Sequence, residues 1–302
     1  MTGDPADTPD DDRTEDEPVT QVDDQAGDSS AVPDESGSSL FAHDEPLVAI
    51  ADLETRGGTI LHLVVLLVGT ILVANLLVLT GLDVLSLLNY TEDANPVVYY
   101  SVQMSLNFVA MLALALGYLY WREGALLRSH RESLVGIRTP TRRDAVVILA
   151  GFVVLLVVMV VSEFLFTLFD VDTAENVAIE RGMNHPELFL VLLPIQFLLT
   201  APGEELLFRG VIQGLIRNAY GILPGVLLAA AIFALFHVPA LLGSGGDVLP
   251  VLLVLFVSGA LLGFFYEYTG NLVVPVVIHA LWNVLVFGTN YLQAVDVLFV
   301  LW

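Results

Sequence analysis

The chain of 302 residues is 56% hydrophobic and 15% charged, against about 45–50% and about 25% in ordinary soluble domains, so a membrane protein is expected. Its formal charge of −23 leaves no cluster of cations that could displace counterions from phosphates, which excludes a nucleic-acid partner. The absence of cysteine excludes disulfide scaffolds, thiolate metal sites and cysteine nucleophiles.

Residues 1–45 hold 15 of the 34 acids and a single arginine, Arg13, among Ser, Pro and Gly. Such a segment has too little apolar surface to offset its ordering entropy, and we expect a disordered acidic tail. It lacks the basic and apolar regions of a signal peptide, so the first hydrophobic span is expected to insert and stay. All eleven cations are arginine, and acidic excess without lysine fits a protein kept soluble at very high salt.

Beyond Gly57-Gly58 the sequence is a succession of apolar stretches, each near the ~20 residues that a helix needs to cross hydrocarbon. We expect spans at 59–82, 97–121, 144–169, 187–216, 222–242, 248–267 and 271–290. The segment 294–302 is apolar but too short to cross, and is expected as a half-buried terminal helix or the remnant of an eighth span. The predicted fold is all-α: a polytopic transmembrane helical bundle of about seven spans with the acidic tail ahead of it. Three parts are expected: the tail at 1–45, N-terminal membrane helices and a basic loop at 46–143, and the chemistry-bearing domain at 144–302. Arg122, Arg128, Arg131, Arg138, Arg142 and Arg143 surround the loop after the second span, which predicts that this loop is cytoplasmic. The same rule puts Arg217 at the cytoplasmic face and the acid-rich 170–187 connection outside, in a multi-pass protein of the cell membrane.

Polar groups inside apolar spans are costly in lipid unless they face the bundle interior or water. Three clusters qualify: Glu204-Glu205 with Arg209, Phe233 with His237, and His279 with Asn283. Glu205 and Arg209 stand four apart with the acid first, the favourable order for a pair on one helix face. Glu204 lies about 100° round the helix and is expected to remain a free carboxylate. Such a group in a cavity can take a proton from water and return it. His237, His279 and Asn283 offer donors that can orient water and stabilise an oxyanion.

The order and spacing of these residues closely resemble the CPBP family of intramembrane proteases, also called the Abi or type II CAAX prenyl protease family. Its signature is EExxxR, FxxxH and HxxxN on successive membrane helices, and the resemblance covers about residues 145–290. It implies an endopeptidase in which Glu204 activates water, His237 assists, and His279 and Asn283 form the oxyanion hole. It also implies a membrane-associated protein or peptide substrate, prenylated in some members.

Two alternatives use the same residues differently. Glu204, His237 and His279 could supply three ligands to Zn²⁺, although no HExxH helix is present; we favour a metal-independent glutamate mechanism with no cofactor. A transporter or immunity scaffold with a buried ion pair is the other, although the internal repeats usual in transporters are missing. Asn75, Asn107 and Gln196 are read as interhelical hydrogen-bond partners, Glu163 as structural near the end of its span, and Gly259 and Gly263 as a face that lets helices approach. His43, His62, His130 and His185 are given no chemistry.

Overall fold

The computed structural model describes residues 56–123, 134–242 and 245–297. The acidic tail, Arg128, Arg131, His43, His130 and the end of the terminal segment lie outside the described residues. The helices are α1 (Arg56–Leu87), α2 (Pro96–Glu123), α3 (Arg142–Leu168) and α4 (Val177–Asn184). A continuous helical run from Pro186 to Tyr220 follows. Within it come α5 (Pro186–Ile195), a π-helical segment at Gln196–Thr200, α6 (Ala201–Glu205), a second π segment at Leu206–Gln213, and α7 (Gly214–Tyr220). The chain ends with α8 (Ile222–Phe236), α9 (Val238–Leu241), α10 (Val248–Thr269) and α11 (Val273–Ala294).

Among the described residues six helices are long and apolar enough to cross a membrane: α1, α2, α3, the 186–220 run, α10 and α11. The protein is an all-α membrane protein, as expected, but the span predicted at 222–242 is shortened. At 1.5 Å per residue, the 15 residues of α8 reach about 22 Å of the ~30 Å hydrocarbon thickness. The helix breaks at His237, two residues before Pro239, which has no N–H to continue the ladder and whose ring crowds the preceding turn.

The burial pattern is that of a bundle in lipid. On α1 the residues turned inward include Thr59 and Thr70, while Leu61, Leu72 and Leu76 are exposed. Without a hydrophobic drive between helices in lipid, small and polar residues take the contacts and leucine faces the acyl chains. Thr70 satisfies its hydroxyl on the Leu66 carbonyl at 2.7 Å. Asn75 likewise bonds within its own helix, to the Ile71 carbonyl, rather than to a neighbour as predicted. Glu163 is exposed on α3.

The main core cluster joins Leu66 of α1, Phe108 and Met111 of α2, residues 206–216 of the central run, and Phe233 and Tyr266 of α8 and α10. A second cluster holds Phe189 of α5 against Phe287 of α11, with rings 6.0 Å apart. The central helical run is therefore enclosed by its neighbours and carries the longest stretch of buried residues.

Arginines gather where α7 and α10 end. Arg56 lies over the Tyr220 ring, Arg143 over the Tyr268 ring, and Arg217 contacts Glu267. Arg138 bonds both oxygens of Asp144 and the Thr269 carbonyl, while its backbone N–H donates to Asn271. Asp144 also closes a capping box with Thr141 at the start of α3. At the other end of α10, Asp247 pairs with the 170–176 connection through Asp172 and Ala174. Gly246 passes so close there, at φ +71°, that a Cβ would lie 2.5 Å from the Thr173 carbonyl.

Candidate active site

The helical run from Pro186 to Tyr220 departs from α geometry just where the ionisable residues begin. A four-residue step in an α-helix overshoots a full turn by about 40°, so a row of side chains four apart drifts round the axis. The π segments at Gln196–Thr200 and Leu206–Gln213 widen the turn and take that drift back. Two polar rows result on one helix: Gln196, Thr200 and Glu204, whose end members contact α11, and Glu205, Arg209, Gln213 and Arg217, whose last three contact α10.

The row toward α10 is a chain of charge-assisted contacts. Arg209 donates to Glu205 at 2.9 Å and to the Gly259 carbonyl at 3.2 Å, and its guanidinium lies 4.3 Å from the Phe233 ring centroid. One turn on, Gln213 donates to the Gly263 carbonyl at 3.1 Å and to Glu267 at 2.8 Å. Arg217 then reaches Glu267 at 3.3 Å. Gly259 and Gly263 do let the helices approach, and the approach exposes their carbonyls to these donors. Glu205 and Glu267 are both fully buried.

The row toward α11 is looser. At one end Asn283 donates to the Gln196 side-chain oxygen at 3.0 Å, and Gln196 contacts the Met104 sulfur at 3.6 Å. At the other, the Glu204 carboxylate is 6% exposed and stands 3.6 Å from His279 Nε2. Between them the Thr200 hydroxyl is buried with no hydrogen-bond partner among the described residues.

His279 bridges the rows. Its Nδ1 lies 2.7 Å from Glu205 Oε1. An ionised carboxylate only accepts, so Nδ1 carries the hydrogen and Nε2 is turned toward Glu204. His237 sits at the break after α8 with Nδ1 2.9 Å from the Phe233 carbonyl. The carbonyl too can only accept, so Nδ1 donates and Nε2 is left free. The Phe233 ring packs against both imidazoles, at 4.6 Å from His237 and 6.0 Å from His279.

The structure thus brings Glu204, Glu205, Arg209 and His279 into one connected group, with His237 joined through Phe233 and Asn283 one turn along α11. The Glu205–Arg209 pair forms as the spacing predicted. The predicted zinc ligands fare differently: among the described residues no group of three or more His, Cys, Asp or Glu could hold a metal ion. Glu204 and His279 adjoin, but His237 does not complete a set with them. His62, given no chemistry, lies 3.0 Å from the Tyr118 hydroxyl and stacks on Trp121.

Two features went unnoticed in the sequence. Gln213, Arg217 and Glu267 form a second buried polar group, and the signal for it was the four-residue spacing continuing from Glu205 and Arg209, matched by Gly259, Gly263 and Glu267. Gln196 does make an interhelical bond as read, but its partner is a proposed site residue.

Chemically, the arrangement offers one buried carboxylate free of a cation, two imidazoles with fixed tautomers, and an oriented carboxamide. Residues 186–285 match the family model described as Type II CAAX prenyl endopeptidase Rce1-like. No curated protein and no solved structure matches the chain. The matched segment runs from the first residue of α5 into α11 and contains all seven residues of the motifs, so residues 186–285 of this membrane protein are similar to an Rce1-like type II CAAX prenyl endopeptidase domain, in keeping with the CPBP family.

Proposed function

We propose that the protein is an intramembrane endopeptidase that hydrolyses a peptide bond of a prenylated, membrane-associated protein with water activated by Glu204. One observation carries this: of two adjacent buried glutamates, Glu205 is in contact with Arg209 and His279, while among the described residues Glu204 contacts His279 Nε2, at 3.6 Å, and no arginine. A buried carboxylate without a cationic partner is costly, and such groups mark function inside membranes.

Water bound between Glu204 and the free Nε2 of His237 gives a proton to Glu204 as its oxygen attacks the peptide carbonyl carbon. The carbonyl electrons move onto oxygen, and a donor from Asn283 holds the oxyanion, while the His279 hydrogen stays on Nδ1 with Glu205. When the tetrahedral intermediate collapses, the C–N bond breaks and Glu204 returns the proton to the departing nitrogen. The products are a carboxylate and an amine. The family description supports a prenylated CAAX protein as the substrate, with the prenyl chain held by the apolar bundle and lipid. The cell membrane is the proposed location, with the arginine-bearing loop on its cytoplasmic side.

Purified protein in liposomes should cleave a farnesylated CAAX peptide, and Glu204→Gln should not; intact peptide with the wild type overturns the proposal. If Glu204 activates water without a Lewis acid, turnover should persist in metal-free protein. Loss with a chelator and recovery with Zn²⁺ would reject the glutamate mechanism.

A further inference from the structure

Thr200, like Ser101 on α2, has a buried hydroxyl with no partner among the described residues, and of the two only Thr200 stands in the row with Glu204. Six other helical hydroxyls, those of Thr70, Thr80, Ser105, Ser162, Thr269 and Thr289, donate to the carbonyl four residues back at 2.7–2.9 Å. That local bond is the usual resting place of a hydroxyl in an apolar helix. Thr200, at 4% exposure, makes no such bond and has no other partner among the described residues. The cause is the π segment: the Gln196 carbonyl receives the Ala201 N–H, five residues on, and the wide turn withholds it from the hydroxyl.

Its place in the row gives the orphaned group a use. Thr200 stands midway between Gln196 and Glu204, whose partners Asn283 and His279 are one turn apart on α11. Asn283 spends one amide hydrogen on Gln196 and keeps the other. We infer that the Thr200 hydroxyl is a further catalytic residue: it donates to the oxyanion of the tetrahedral intermediate together with the second N–H of Asn283. The inference rests on the hydrolytic function proposed above. No acceptor among the described residues competes for this donor, so its interaction strengthens as negative charge develops on the carbonyl oxygen, which favours the transition state over the ground state.

Thr200→Val keeps the shape and removes the hydroxyl, and Thr200→Ser keeps the hydroxyl. With the farnesylated CAAX peptide in liposomes, Thr200→Val should lower kcat about 10²-fold with KM unchanged, within the range for losing an oxyanion donor. Thr200→Ser should retain most of the turnover. Thermal unfolding in detergent supplies a readout that a structural role would move the other way. Removing an unpartnered buried hydroxyl should leave Tm unchanged or raised, whereas removing a hydroxyl that holds the fold should lower it. Wild-type cleavage with an unimpaired Thr200→Val, or a Thr200→Val with lowered Tm, overturns the inference alone. A wild type that leaves the peptide intact overturns the proposed function, and this inference with it.

Discussion

The two polar rows of the central helical run face different neighbours and are finished differently. Toward α10, Arg209 pairs with Glu205 and the Gly259 carbonyl, while Gln213 and Arg217 share Glu267 and Gln213 also meets the Gly263 carbonyl. Toward α11, Glu204 has a single neighbour at 3.6 Å, and the Thr200 hydroxyl has none. Both rows are buried, so exposure to water does not explain the contrast. Burying an unpaired polar group costs about 1–3 kcal/mol, more when it is charged. Glu205 Oε2 and Gln213 Oε1 also lack partners among the described residues, so the rows differ in charge: each acid toward α10 touches an arginine and Glu204 touches none, as the proposed function requires. Under the proposed function the adjacent glutamates have opposite tasks: Glu205 holds the bundle together and Glu204 is kept for chemistry.

Substituting the two glutamates tests that division most directly. Glu204→Gln is nearly isosteric and removes a carboxylate with no cation beside it, so cleavage should fall to background while Tm in detergent stays level or rises. Glu205→Gln leaves the fully buried Arg209 uncompensated, and removing one partner of a buried pair typically costs about 3–5 kcal/mol. That variant should unfold at lower temperature or express poorly. If Glu204→Gln destabilises more than Glu205→Gln, the contrast between the rows is misassigned. Asn283→Ala comes next: it removes an oxyanion donor on the open side, and turnover should drop roughly 10²–10³-fold with little change in KM. An unchanged rate would take Asn283 out of the site.

Much of this could be seen in the residues themselves. Apolar stretches near 20 residues announced the spans, and the four-residue step from Glu205 to Arg209 announced the pair, because both signals are local. What escaped depends on helix–helix contact or on a local departure from α periodicity. An α-helix would carry Gln196, Thr200 and Glu204 progressively round the axis, so their alignment became apparent only with the π turns. Glu267 sits near the end of an otherwise apolar span and gains its meaning from Gln213 and Arg217 on another helix. The shortened α8 was signalled by Pro239, but its hydrophobicity continues past the break and hid it.

The smallest expected effect concerns Gln196, which lies on the open row yet touches no proposed reacting group. It is 3% exposed, and its oxygen accepts from Asn283 while its amide nitrogen contacts the Met104 sulfur. A thioether sulfur can only accept, so this contact fixes which way the Gln196 amide points. Gln196 in turn fixes Asn283, whose amide group would otherwise turn about its terminal bond. Gln196→Leu should therefore reduce kcat about tenfold, a loss of about 1.4 kcal/mol of transition-state stabilisation, without weakening substrate binding. The reduction must be smaller than that of Asn283→Ala, because the amide survives and only its aim is lost. Groups that act through one another do not add, so Gln196→Leu should cost nothing further once Asn283 is alanine. If the tenfold loss persists in the Asn283→Ala background, Gln196 works by some other route, and the open row is not organised around that carboxamide.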